Sequence, residues 1–186
     1  MEEEKKIRKG RVFISILLSS ILATTFTLFI EKSDMITTKS RISEHFKQSE
    51  YTSSYDDLHV VLKKEAGGQY LLLYTYTIKN KGKKIGLVHY RKMKLLPFYE
   101  LEQFDDSPQP TVGSSFLNNG QFIVYGNRKE LGADYFTYRQ NIEFKRVNLP
   151  QQDFFIQIET FEDRFFVPRL NFYSKEGKIV ASTRAK

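Results

Sequence analysis

Apolar positions along this chain fall into three regimes. From Val12 to Ile30, VFISILLSSILATTFTLFI, 19 consecutive residues carry no charge. At about 1.5 Å per residue a helix of that length reaches roughly the 30 Å of a hydrocarbon core, so the segment predicts one transmembrane helix. Its Ser and Thr hydroxyls can bond back to carbonyls one turn earlier, which costs far less than a charge would. A buried core helix would need partners on all sides, and the strand-rich remainder of the chain does not offer them.

The second regime covers 31–50. Met35, Ile42 and Phe46 stand seven and four residues apart, one stripe of a modest amphipathic helix with Ser33 or Asp34 as its cap. The expectation is a short juxtamembrane stalk, a spacer of about 25 Å if fully helical.

Beyond Tyr51 the period shortens to two. QYLLLYTYTIKN sets Tyr70, Leu72, Tyr74, Tyr76 and Ile78 on one side of an extended chain, and LHVVLKK before it and Ile85–Tyr90 after it complete a three-strand meander. The same grammar recurs in QFIVYG at 121–126, in IEFKRV at 142–147, and in DFFIQIETF at 153–161, where Phe154, Ile156 and Ile158 oppose Gln157 and Glu159. A closing hairpin turns at Lys175, Glu176 and Gly177, between Leu170–Tyr173 and Ile179–Ala181. About eight strands and no helix of ten residues over 51–186 predict an all-β domain, an antiparallel β-sandwich or partly open barrel, preceded by one transmembrane helix and a short helical stalk. All 11 Tyr and most of the 16 Phe lie in this part, enough ring area for a core without cross-links.

Charge then orients the chain. Lys+Arg number 29 and Asp+Glu 22, a net charge of +7. Lys5, Lys6, Arg8, Lys9 and Arg11 immediately precede the apolar run, and such an excess holds that flank in the cytoplasm. The division is therefore a cytoplasmic basic N-terminus at 1–11, a membrane span at 12–30, a stalk at 31–50 and an extracytoplasmic domain at 51–186. A cleaved secretory signal shares the first two features. The exit FTLFIEKSDM lacks small residues at cleavage spacing, and the apolar run is longer than a signal core, which favours an uncleaved signal-anchor.

Cysteine is absent, removing disulfides, thiolate metal sites and cysteine nucleophiles together. No G-x-S-x-G, H-E-x-x-H, P-loop or G-x-G-x-x-G pattern occurs, so neither catalytic nor cofactor-binding residues are assigned and no enzyme activity is expected. Glu100, Glu102, Asp105 and Asp106 cluster among prolines but lack a cation-loop pattern; solubility or pairing with a neighbouring basic strand explains them better than a metal does. The strongest local bias is the acid-free segment carrying Lys79, Lys81, Lys83, Lys84, Arg91, Lys92 and Lys94. It is a candidate surface for an anionic partner, or a solvated edge kept from aggregating by its lysines.

The order of basic N-terminus, single anchor and Tyr/Phe-rich β-domain ending in FYSKEGKIV resembles small single-span extracytoplasmic proteins of Gram-positive bacteria. That resemblance implies a location and a body plan and transfers no site residues. The expected function is a membrane-anchored binding or interaction domain at the cell surface, acting on a partner membrane protein or an anionic envelope polymer and held in the lipid bilayer through 12–30. One alternative is an envelope hydrolase, in which Ser114 or Ser115 would have to meet His89. Another is a cytoplasmic-facing basic domain that binds nucleic acid through stacking rings; a domain outside the membrane seldom meets nucleic acid, and strand alternation already accounts for the rings.

Overall fold

The computed structural model describes residues 2–31, 35–79, 82–117, 121–161 and 168–184; within the first helix the described side chains are those of 13–26 and 28. That helix, α1 (Glu2–Glu31), runs unbroken for 30 residues. Thr24 Oγ1 donates to the Ser20 carbonyl at 2.9 Å and Thr25 Oγ1 donates to that of Ile21, the back-bonding expected of hydroxyls in an apolar helix. Among the described residues no helix is long and apolar enough to cross a membrane; the side chains of Val12, Thr27, Phe29 and Ile30, which complete the expected span, lie outside them.

Segment 35–52 is part of the folded body and not a stalk. Strand β1 (Ile36–Thr38) pairs antiparallel with β5 (Phe98–Asp106), and helix α2 (Ile42–Gln48) follows at once. Of the expected stripe only Ile42 and Phe46 share a helix, and they face protein, both fully buried; Met35 precedes β1, outside the helix, and is exposed. A single 3₁₀ turn, Glu50–Thr52, leads into the strands.

The remaining strands are β2 (Asp56–Ala66), β3 (Gln69–Ile78), β4 (Gly82–Lys92), β6 (Val112–Phe116), β7 (Gln121–Asn127), β8 (Tyr135–Gln140), β9 (Glu143–Asn148), β10 (Phe154–Thr160), β11 (Arg169–Tyr173) and β12 (Ile179–Arg184), with a four-residue helix α3 (Arg128–Leu131) between β7 and β8. They form three antiparallel sheets, in the orders β1-β5-β4-β3-β2, β10-β7-β6 and β12-β11-β8-β9. The protein is thus mostly β, as expected, with the meander β2-β3-β4 and the terminal hairpin β11-β12 where the alternation puts them. The strand number is twelve among the described residues rather than about eight.

Side-chain alternation stacks these sheets. On one face of the five-stranded sheet, Leu72, Tyr74, Tyr76, Val88 and Tyr90 pack with Ile42 and Phe46 of α2. On the other, Leu71, Leu73, Ile85 and Leu87 meet Ile123, Tyr125 and Ile156 of the three-stranded sheet. The far side of that middle sheet, with Phe122, Val124 and Phe155, meets Phe136, Tyr138, Leu170 and Phe172 of the four-stranded sheet. The middle sheet is therefore covered twice. Strand β10, expected to keep one wet side, buries Phe155 on that side.

Candidate functional site

The polar groups that could carry chemistry converge where β5 ends, at Asp105 and Asp106. One row crosses three strands: Tyr74 on β3 stands opposite Gly86 on β4, and Gly86 opposite Asp106 on β5. Because Gly86 has no side chain, the Tyr74 ring lies across it, and a Cβ there would come within 2.4 Å of the ring. The Tyr74 hydroxyl then reaches over β4 and donates to Asp106 Oδ1 at 2.8 Å, while Tyr55 donates to Oδ2 at 2.7 Å. Burial, with the Asp106 charge second for Tyr74, pushes the Tyr74 phenol far above its ordinary pKa, so it remains a donor at all ordinary pH.

The middle sheet repeats the device. Tyr125 on β7 faces Gly113 on β6, where a Cβ would lie 2.3 Å from the ring, and its hydroxyl donates to the Asp105 carbonyl at 2.9 Å. That bond ties one sheet to the next. A shallow surface pocket beside it is lined by Asp105, Asp106, Ser107, Ser114, Tyr125 and Thr183 among others.

The Asp105 side chain faces the middle sheet, where it meets His89 and Ser115. His89 is 1% exposed; its Nε2 lies 3.0 Å from Asp105 Oδ2 but off the N–H axis, so the contact is a close approach rather than an aligned hydrogen bond. Its Nδ1 is 3.3 Å from Gln69 Oε1. Gln103 Nε2 donates to Asp105 at 2.8 Å and to Ser115 Oγ at 3.3 Å. Burial alone would raise the Asp105 pKa, but the close approach of His89 and the hydrogen bonds from Ser115 and Gln103 outweigh it and hold the carboxyl below its ordinary value. A histidine, a carboxylate and a serine are thus together, as the hydrolase alternative required, but in an order that does not activate the hydroxyl. The carboxylate stands between base and serine, the imidazole Nδ1 is turned to Gln69, and Ser115 is fully buried. The cluster is a polar bolt between sheets.

The acid-free segment is drawn out along β4 rather than gathered. Lys79, Lys83 and Lys84 lie at the β3–β4 turn, whereas Arg91, Lys92 and Lys94 lie at the other end of β4. From Lys84 to Lys92 is eight residues, about 26 Å of strand. Lys81 lies outside the described residues. Lys83 sits 3.5 Å from Glu130, and Arg91 is 2.8 Å from Glu100 and 3.7 Å from Glu102. Two of the four clustered carboxylates, Glu100 and Glu102, therefore pair with Arg91 on the neighbouring strand, whereas Asp105 and Asp106 take the polar partners above; no metal-holding group of His, Asp and Glu occurs among the described residues.

Sequence reasoning missed the roles of Gly86, Gly113, Asp105 and Asp106. For Gly86 the available signal was a glycine in the interior of a predicted strand, which marks a close approach; Gly113 sits in a stretch that reads as a turn and gave no such signal. Searches against protein-family models, curated proteins and solved structures gave no match, so the functional reading rests on this geometry and on the sequence.

Proposed function

We propose that this chain is a single-span membrane protein whose β-domain is a binding module on the outer membrane face, engaging an anionic envelope polymer or a partner membrane protein. The observation that carries the reading is α1. Its described side chains are exposed all round the helix, with Phe13, Ile14, Ile16, Leu17, Leu18, Ile21, Leu22, Phe26 and Leu28 distributed over every direction. A helix apolar on all sides belongs inside a larger core or in lipid, and among the described residues the β-domain meets α1 near its C-terminal end, through β1 and Phe98. The basic residues before Val12 set the orientation.

The β-domain offers Lys79, Lys83 and Lys84 at the end of β4 far from α1, a basic tip suited to long-range attraction of an anionic polymer. Replacing these three by Gln in the full chain is expected to abolish low-salt retention on immobilised poly(glycerol phosphate) while the protein stays in carbonate-washed membranes. Unchanged retention removes the polymer version. Release of the wild-type protein into the carbonate supernatant removes the anchor.

A further inference from the structure

The β4–β5 connection, residues 93–97 (MKLLP), carries apolar side chains into solvent: Leu95 is 94% exposed, and Leu96 and Pro97 are exposed beside it. A lone surface leucine needs no explanation, but the position of this loop does. Phe98, which closes the loop, packs edge-on against Phe26 of α1 with ring centroids 6.2 Å apart. Phe26 precedes Ile30 by four residues, so it lies about 6 Å inside the end of the uncharged 12–30 stretch.

The strand directions decide which way the loop points. Beyond α1 the chain comes alongside β5 at Met35, whose carbonyl accepts the Leu101 N–H at 2.7 Å. It then runs back antiparallel to β5 until Thr38 stands opposite Phe98. Going from Phe98 to Leu101 therefore follows α1 toward its C-terminus, and going from Phe98 back to Leu95 follows it toward the interior of the span. The loop projects past the level of Phe26.

We propose that this loop is a second membrane contact: Leu95 and Leu96 enter the acyl-chain boundary beside α1, and Lys92 and Lys94 rest on anionic phospholipid headgroups. The proposal rests on the anchor reading above. Long basic side chains can keep their charge among headgroups while neighbouring apolar residues go deeper. The depth is limited by what else shares this end of the sheet, namely the Lys39–Glu65 ion pair and the β2–β3 turn, where the Gly68 carbonyl accepts the Lys92 N–H. Two attachments, helix and loop, fix the domain's tilt at the membrane.

The chain has no cysteine, so single-cysteine variants of the full-length protein report one position each. Leu18→Cys, Leu95→Cys and Lys79→Cys, each carrying a polarity-sensitive fluorophore, are reconstituted in vesicles of phosphatidylcholine and phosphatidylglycerol with and without spin-labelled lipid. The expected result is blue-shifted, lipid-quenched emission at 18 and 95 and water-like, unquenched emission at 79. Omitting phosphatidylglycerol should weaken quenching at 95 and leave 18 unchanged; equal quenching overturns the role given to the lysines. Quenching at 18 with water-like emission at 95 overturns the loop contact and leaves the anchor standing. Water-like emission at both overturns the anchor and this inference with it. Quenching at 79 as strong as at 95 overturns the two-point attachment, because the whole domain would then lie on lipid.

Discussion

Asp105 and Asp106 are sequence neighbours that serve opposite faces of one strand, Asp105 toward His89 and Ser115, Asp106 toward Tyr55 and Tyr74. Burial works against the Asp105 carboxylate, yet its hydrogen bonds hold the folded-state pKa below the ordinary 3.8. The unfolded chain therefore takes up this proton first as pH falls, so the carboxylate's stabilising share is complete above 3.8 and is lost as pH drops through the folded value. Asp105→Asn is expected to flatten the acid limb of stability; urea midpoints measured between about pH 5 and pH 2 check this, and parallel limbs in the two proteins would refute it. At Gly86 a single methyl must displace the Tyr74 ring from its path to Asp106. Gly86→Ala is expected to cost about 1–3 kcal/mol, read as a lowered thermal midpoint. Neither role was legible from residue type, since both aspartates sit in a stretch that reads as acidic loop. The partners that make them structural are on other strands.

At the scale of elements, α2 shows what periodicity can and cannot say. The spacing of Ile42 and Phe46 marks an apolar helical face, Met35 falls outside the helix, and periodicity does not name the cover, which is a wall of tyrosines on the five-stranded sheet. Phe46 is 0% exposed, 4.6 Å from the Tyr74 ring and 5.8 Å from that of Phe104. Phe46→Ala should therefore destabilise the β-domain by about 3–5 kcal/mol in denaturant titration, where a spacer would show no change. The strands legible in the sequence are those with long alternation, such as β3, β4 and β10. Four were missed, β1, β5, β6 and β8, and three of them have identifiable reasons: β1 has only three residues, β6 reads VGSSF and looks like a turn, and β5 is crowded with carboxylates whose partners lie on β4 and β3. Strand β9 begins one residue later than expected, since Asn141 takes a left-handed turn conformation and Ile142 is left exposed at the hairpin tip.

For the molecule as a whole, an all-β antiparallel architecture follows from the sequence, while the number of layers does not. A continuous apolar run such as FIVY within β7 suits a strand buried on both faces, but one chain segment cannot say which sheets will lie above and below it. The segments covering β7 come from both sides of it in sequence: Leu71–Leu87 supply one lid, and Phe136, Leu170 and Phe172 the other. The middle sheet is completed only when β10 has joined β7 after the β8–β9 excursion. A ribosome must therefore release almost the entire chain before the central layer closes, and until then the early meander waits with one oily face uncovered for its late-arriving counterpart.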